Sequence, residues 1–462
     1  MNNKMQNRII VSETFLPRNI ITEWDVDIVN FDFLKESLTF SECDKLFKYF
    51  SKQIEKEAKK IQKSIRGRVE GVAMDVMYSH LDDADWYQAA LIVEIFRDPD
   101  ISKNAGNIDT RTLQKKIHYA LKEETIEFLI GWGQAKRYCG GLKTEGYSAD
   151  FSELYSILTL YIIIQSIHNI TGKHTTLTIL TGGTRFYSAL FTGREKIKQY
   201  DRQRQAIADH FATEYTSINF IDYHSTDKNT DDKLNEFCEM IKKTEIDNTF
   251  QTVLMNVDWY SVLIKTENAP HGVKIPPIVV KYLKEGGDVD MLIRMGIVSI
   301  LNRNTHTYWI EKIGNVELFD ETVDFFYEVS RESTKKYLAI HLMDADIDET
   351  IQSKSHERAI RLTVHEKKDR KDIPAILTLG RRGGNKLSQH VCGFVSQDGV
   401  SFDAVFNISV KLKGSDKKIK RVMPPEEGIF NWLTGGEQPF FYSNTPKEKY
   451  LETLFKLKFI EE

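Results

Sequence analysis

The stretch TIEFLIGW (residues 125–132) marks the point at which the chain changes from helical patterns to alternating strands and helices. Its apolar and β-branched residues predict a strand that ends beside a glycine. A loop follows, and then a long apolar helix whose first residue comes directly after Asp150. Asp150 is placed to cap this helix, with Glu153 at the capping-box position three residues later.

The alternation continues downstream of this helix. His174–Leu180 predicts a second strand, Arg194–Tyr215 a polar helix, the SINFIDY segment a third strand, and Asp231–Lys243 a further helix. Strands that alternate with helices in this way predict a parallel sheet. We therefore expect an α/β fold with a Rossmann-like, mainly parallel sheet.

The second half of the chain first returns to helical patterns and then offers short apolar runs. Pro277–Ile313 and Asp320–Val329 predict helices. The runs that follow predict an antiparallel extension to the sheet; they are AIHLMD, RAIRLTVHE, IPAILTLG, HVCGFVS and VSFDAVF. The chain then divides into a helical N-terminal region (1–120), an α/β core (121–412) and a C-terminal segment with an amphipathic helix (413–462).

Composition excludes several classes of protein. The 462 residues are 41% hydrophobic and 28% charged, which is typical of a soluble globular chain. The formal net charge of -4 gives no basic field for nucleic acid. The four cysteines lack paired spacing, which argues against a disulfide framework or zinc and favours the reducing cytoplasm. The apolar run from Leu154 is interrupted by Ser, Gln and His, so it predicts a buried helix rather than a membrane span, and we expect no signal peptide.

The turn TGGTRF follows the second predicted strand. Ligands of open α/β sheets bind at the carboxyl ends of strands. Gly183 would allow a ligand to approach the backbone, and Arg185 would bind a phosphate or carboxylate through its two-pronged guanidinium. A plain strand-to-helix turn with a surface arginine has the same pattern.

The stretch RAIRLTVHE (residues 358–366) combines a strand pattern with cationic side chains. Alternation places Arg361 and His365 on one face, and Leu362 and Val364 on the other. Lys371 and, further on, His390 extend this into a local concentration of cations, which suits a small phosphorylated substrate. The same pattern fits equally well with a solvent-exposed hairpin whose histidine has no functional role.

Two lysines, Lys136 and Lys143, lie in the loop after the first predicted strand. A lysine held in a pocket serves as a general base or forms an imine with a ketone, although loop lysines are mostly just exposed. The aspartates of DADIDE (344–349) resemble a calcium loop, but Glu349 stands at the glycine position, so we expect a solvated turn. We predict no metal and no cofactor.

Three stretches, taken together, resemble the pyoverdine/dityrosine biosynthesis family, which includes the isonitrile (isocyanide) synthases. They are IEFLIGWGQAKRYCGGLKTEGYSADFSEL, LTILTGGTRFYSALFTGREKIKQY and RAIRLTVHEKKDRKDIPAILTLG. The residues of the first stretch that fit the family's order are Lys136, Lys143, Thr144, Gly146, Asp150, Glu153 and Leu154. The resemblance spans roughly Thr125 to Val405. Gly182 replaces the family's aspartate, Arg185 comes one residue late and Glu366 replaces a proline, which indicates a divergent member.

The resemblance implies an activity and roles for the candidate residues. Isonitrile synthases are lyases of secondary metabolism that join an amino acid, tyrosine or tryptophan, to ribulose 5-phosphate and need no metal or nucleotide. Lys143, Lys136 and His365 would then act in proton transfer or imine formation, with His390 as a proton shuttle. The residues that would bind the substrates are Arg361, Arg185, Lys371, Gly183, Asp150 and Glu153, although the last two equally serve as helix caps. A related enzyme that makes an N-formyl amino acid and a non-catalytic binding protein are the alternatives.

Overall fold

The computed structural model describes most of the chain between residues 52 and 404. The described residues are 52, 55–71, 83–133, 136, 139–140, 142–144, 147, 149–181, 186–222, 230–264, 270–352, 358–366, 370–384, 386–396 and 399–404. The predicted helical N-terminal region (1–120) therefore lies partly, and the C-terminal segment (413–462) wholly, outside the described residues.

Helices and strands follow one another through these residues, with short 3₁₀ turns between some of them. They are α1 (55–71), α2 (Ala84–Phe96), α3 (Thr110–Ala120), β1 (Thr125–Trp132), α4 (Phe151–Thr171), β2 (His174–Thr181), α5 (Tyr187–Leu190), α6 (Arg194–Phe211), β3 (Thr216–Asp222), α7 (Thr230–Met240), α8 (Lys243–Leu254), α9 (Trp259–Ile264), α10 (Pro277–Lys284), α11 (Val289–Leu301), α12 (His306–Ile313), α13 (Val316–Gln352), β4 (Ile360–Leu362), α14 (Gly380–Gly383), β5 (Cys392–Ser396) and β6 (Gly399–Asp403).

The main sheet has the strand order β3-β2-β1-β4, and every neighbouring pair is parallel. Helix α4 connects β1 to β2, and α6 connects β2 to β3. The chain then passes through α7 to α13 before it adds β4 on the other side of β1. The direction of strand addition therefore reverses at β1, which is where open α/β sheets form their ligand crevice.

One face of the sheet carries the core of this half of the molecule. Phe128 of β1 lies in register with Leu177 of β2 and with Ile360 of β4, and all three are buried in one apolar cluster. Because side chains alternate along a strand, residues in register share a face. Full burial of such a side chain stabilises the fold by about 1.5–3 kcal/mol relative to exposure.

Helix α4 begins and ends where the sequence indicates. Asp150 accepts the backbone N–H of Ser152, Glu153 completes the capping box, and Gly172 ends the helix with a φ of 68°. Among the described residues, Ser152–Thr171 is the one helix long and apolar enough to cross a membrane, but 67% of it is buried inside the fold. It is the core helix that the sequence predicts.

Helices α8 to α13 enclose a second apolar cluster, here called the helical layer. The ring of Trp259 stacks on Phe326 with 3.8 Å between centroids. Gly296 of α11 makes room for that ring, because a Cβ atom there would lie 2.6 Å from Phe326. This layer supports the turn between α8 and α9, which reaches the candidate site.

The α/β class and the predicted strands at β1, β2 and β3 are confirmed. The antiparallel part is present as a separate sheet of β5 and β6, because β4 is parallel to β1 and belongs to the main sheet. The AIHLMD run is not a strand but part of α13, and IPAILTLG makes only isolated bridges. Short apolar runs suit a buried helix as well as a strand, which explains the error at AIHLMD.

The predicted helix bounds also need correction. Pro277–Ile313 is three helices, α10 to α12, because Gly286 and Gly287 interrupt it before the Asp288 cap and Asn302 interrupts it again. The solvated turn expected at DADIDE is wrong, since the backbone there continues α13. The spacing of apolar residues predicts that a segment is helical, but it says little about where the helix is interrupted, because interruptions depend on capping residues.

Candidate functional site

The carboxyl ends of β1 and β4 lie side by side at the point where strand addition reverses. The loop that leaves β1 carries Lys136 and Lys143 before it enters α4 at Asp150. The chain that leaves β4 carries His365. Thr181, the last residue of β2, lies in register with Trp132 at the same edge. The fold therefore brings all three family-like stretches to one edge of the sheet.

Lys136, Asp150 and Glu153 form what we call the buried ion cluster. The Nζ atom of Lys136 lies 2.7 Å from Asp150 Oδ2 and 2.8 Å from Glu153 Oε2. The three side chains are at most 1% exposed. A fully buried lysine is stable only with such partners, because its ammonium has lost the solvation of water.

Neighbouring groups complete the hydrogen bonds of this cluster. Glu153 accepts the backbone N–H of Asp150 at 2.7 Å and the hydroxyl of Tyr200 at 2.8 Å. The hydroxyl of Ser152 donates to Asp150 at 2.7 Å. The cluster thus links the loop after β1, the first turn of α4 and the inner face of α6.

The protonation of the cluster follows from its two carboxylates and single ammonium. Burial opposes the charged lysine, but Asp150 and Glu153 outweigh it and raise the pKa of Lys136. Burial also opposes a charged Glu153, yet Lys136 and the hydrogen bonds outweigh it and lower the pKa of Glu153. Burial and the charge of Glu153 raise the pKa of Asp150 to about 6. Lys136 is therefore held as a cation, and Asp150 is the carboxyl group of the pair that takes up a proton first as the pH falls.

The end of β1 is clamped from two sides. Arg204 of α6, itself fully buried, donates to the carbonyl of Gly133 at 3.1 Å. On the other side the ring N–H of Trp132 donates to Gln389 at 2.8 Å. Gly133 has no room for a side chain, because a Cβ atom would lie 2.0 Å from the amide nitrogen of Gln389. The loop with the two lysines therefore starts from a fixed point.

A second polar group joins the loop to the helical layer, and we call it the loop–helix cluster. Lys143 Nζ donates to Asn256 Oδ1 at 2.9 Å, and the hydroxyl of Tyr147 donates to Asp258 at 2.6 Å. Lys196 lies 3.3 Å from Asp258 and 3.6 Å from the centre of the Tyr147 ring. Asp258 is fully buried and Lys196 is one-third exposed, so the cluster extends from the interior to solvent.

Cys392 connects the two clusters. Its thiol donates to the carbonyl oxygen of Lys143 at 3.9 Å, and its side chain is close enough to Lys136 to affect the pKa of that lysine. The buried ion cluster and the loop–helix cluster are therefore parts of one polar region at the end of β1.

The histidines at the end of β4 occupy a different setting. His365 is exposed, and its backbone N–H donates to Thr363 Oγ1 at 3.1 Å. His341 of α13 packs edge-on against Tyr337 and against Phe186, the residue after the TGGTR turn. Part of the His341 ring is open to solvent, but desolvation and nearby His365 lower its pKa to about 4. His341 is thus neutral at physiological pH.

The other predicted site residues are dispersed. Arg361 is half-buried on the face of β4 that points away from the core, in register with Leu129. His390 is half-buried in the turn whose Ser388 carbonyl accepts the hydroxyl of Ser152. Lys371 is exposed, and its backbone carbonyl accepts the N–H of Asp109. Arg185 and Gly183, with Gly182 and Thr184, lie outside the described residues.

Several residues of the polar region were not predicted from any sequence motif. Tyr200, Gln203, Arg204 and Ile207 occupy helical i, i+3, i+4 and i+7 positions of α6 and are all buried. Polar residues in an inward-facing stripe signal a buried network, so that pattern was the available clue. The sequence offers no comparable signal for Asn256 and Asp258, because they lie in a turn that is distant in sequence from the other residues of the polar region.

Comparison with protein-family models finds no match, and comparison with curated proteins finds none either. Among solved structures, the chain has a likeness to PvcA from Pseudomonas aeruginosa, at a TM-score of 0.35 and 13% sequence identity. The likeness covers 69% of this chain and 93% of that one. A likeness this weak assigns neither a family nor a function to the chain.

Proposed function

We propose that the protein is an isonitrile synthase-like lyase of the cytoplasm that acts on an amino acid, tyrosine or tryptophan, with ribulose 5-phosphate as carbon donor. The observation that carries the proposal is the meeting of Lys136, Asp150 and Glu153, which belong to the family-like stretch, in one buried cluster at the end of β1. The ligand crevice of an open α/β sheet forms at this edge.

The proposed chemistry needs groups that move protons and groups that hold anions. The amino group condenses with the ketone of ribulose 5-phosphate and releases water. Proton abstraction, cleavage of both C–C bonds of the ketone carbon and departure of phosphate then leave it as the isonitrile carbon, and the rest of the sugar leaves as a one-carbon and a three-carbon fragment. General acids and bases serve the proton steps, and cationic clamps serve the phosphate and carboxylate.

We assign a role to each candidate residue from its burial and from the partners of its side chain. Lys136 is held charged between two carboxylates, so in this proposal it anchors the loop and supplies positive charge. The ammonium of Lys143 donates to the neutral amide of Asn256, and we propose Lys143 for proton transfer or imine formation. We propose His365 for the same steps and His390 as a proton shuttle. Arg361, Arg185, Gly183 and Lys371 are proposed for substrate binding.

The test is direct turnover. The purified chain is incubated with tyrosine or tryptophan and ribulose 5-phosphate, and the isonitrile infrared band and free phosphate are measured. We expect both signals, and we expect Lys143→Met to lose at least about 100-fold in rate, in the range of general acid–base contributions. Lys198→Met, at an exposed lysine of α6, is the matched control and should retain full activity.

The outcomes separate the alternatives. An N-formyl product in the mass spectrum, with no isonitrile band, would replace the synthase with the related N-modifying enzyme. A folded protein that turns over no amino acid at all would contradict the enzyme proposal and leave the binding protein.

A further inference from the structure

The two lysines of the loop after β1 have partners of different charge. Lys136 is fully buried between two carboxylates, whereas Lys143 is half-buried and donates to the side-chain amide of Asn256 at 2.9 Å. A carboxylate partner favours the charged form of a lysine, while an amide oxygen accepts a hydrogen bond without adding a charge. Asn256 is thus a neutral partner of Lys143.

Asn256 stands on a rigid support. Its side chain is only 4% exposed, and its backbone N–H donates to the carbonyl of Val253 at 2.8 Å. Two residues later, the N–H of Asp258 donates to Leu190 of α5 at 2.8 Å. The ring N–H of Trp259 donates to Leu254 at 2.8 Å, and the same ring stacks on Phe326. The amide oxygen that receives Lys143 therefore has a fixed position.

The loop is held on the far side of Lys143 as well. The hydroxyl of Tyr147 donates to buried Asp258, which also pairs with Lys196 and accepts the hydroxyl of Ser261 at 2.8 Å. The same turn of the helical layer thus binds the loop at two points. A lysine between fixed points keeps its geometry during a reaction, and displacement by about 1 Å costs a reaction up to roughly 100-fold.

We propose that Asn256 is a positioning residue: it holds the Lys143 ammonium through a neutral oxygen, and so fixes the amine where it releases its proton. This inference rests on the proposed function, in which Lys143 moves a proton. It adds the turn between α8 and α9 to the site, although that turn belongs to none of the family-like stretches.

The test replaces the amide with an isosteric carboxylate, Asn256→Asp. Acylation of Lys143 with acetic anhydride, followed by peptide mass spectrometry across pH, reports the fraction of neutral amine independently of turnover. We expect the variant to shift the Lys143 labelling midpoint upward by about 1–3 pH units, the usual effect of an adjacent opposite charge. The midpoint of the pH dependence of turnover should shift by the same amount.

Asn315→Asp is the matched control. It adds the same charge at an exposed cap, where the side chain already accepts the N–H of Leu318, and should shift neither profile. Unchanged labelling in Asn256→Asp overturns the contact with Lys143, and shifted labelling with an unshifted turnover profile overturns the positioning role. Wild-type protein without turnover instead contradicts the proposed function, while the labelling still tests the contact.

A second variant covers a folding defect in the first. Asn256→Ser shortens the side chain so that it no longer reaches Lys143. We expect kcat to fall about 10- to 100-fold while KM changes little, because the reacting amine is misplaced and the substrate contacts remain. A loss of thermal stability with unchanged kcat would show a purely structural role and overturn the proposal.

Discussion

Lys136 and Lys143 share one loop and one residue type, yet their surroundings differ. Lys136 is enclosed by Asp150 and Glu153 within the sheet half of the molecule and is fully buried. Lys143 reaches the helical layer, remains half-buried and meets an amide. Under the proposed function, the first lysine holds the loop in place and the second takes part in the reaction. Position in sequence alone could not separate these roles.

The largest effect is expected when Lys136 is replaced, because this substitution tests its anchoring role directly. Lys136→Met leaves two carboxylates buried without a counter-charge, and we expect the free energy of unfolding to fall by about 3–5 kcal/mol. Urea denaturation followed by circular dichroism measures it. Adding Asp150→Asn and Glu153→Gln to this variant should recover part of the loss. A loss below about 1 kcal/mol would contradict the anchoring role.

The second prediction concerns pH. The pKa of Asp150 is about 6 in the folded chain against an ordinary value of 3.8, so unfolding releases its proton between about pH 4 and 6. Its contribution to stability is present below pH 4 and is lost as the pH rises through 6. Asp150→Asn keeps a good helix cap and should gain on the order of 2 kcal/mol over wild type between pH 4 and 7. Parallel stability curves for the two proteins would refute this.

The third prediction tests the hydrogen bond from α6. Tyr200→Phe removes the hydroxyl that Glu153 accepts, and we expect a loss of about 1.5 kcal/mol, typical of a bond to a charged group. Tyr119→Phe, at an exposed tyrosine, is the control and should change stability by less than about 0.5 kcal/mol. Equal effects in both variants would remove Tyr200 from the cluster.

The smallest effect on stability is expected at Lys143. Because half-exposed polar contacts contribute little, Lys143→Met should cost less than about 1 kcal/mol, even though we propose that it lowers the rate of turnover at least about 100-fold. The same denaturation measurement applies. A cost as large as that of Lys136→Met would erase the distinction between the two lysines.

The sequence predicts local features of the fold well and long-range ones poorly. The capping box at Asp150 and Glu153 and the strand at residues 125–132 depend on neighbouring residues, and both are confirmed. The place of β4 beside β1 depends on packing across the whole helical layer, so the pattern of RAIRLTVHE could not reveal a parallel pairing. Alternation nevertheless predicted its buried face, with Leu362 and Val364 in the core.

The same distinction holds for the candidate site. Lys136, Asp150 and Glu153 were named from the loop and its cap, and they meet in the structure. Tyr200, a partner of Glu153, and Asn256, a partner of Lys143, come from distant segments, and only the fold brings them near. The family resemblance gives no role to Tyr200, which ends the second family-like stretch, and Asn256 lies outside all three stretches.

The late arrival of β4 has a consequence for biosynthesis. Ile360 pairs with Phe128, so β1 remains an outer strand of the growing sheet until the ribosome has made the entire helical layer. During that interval its unpaired backbone groups and apolar residues form a template for association with other chains. Nascent chains that end before residue 360 should therefore depend on chaperones more than the complete chain does.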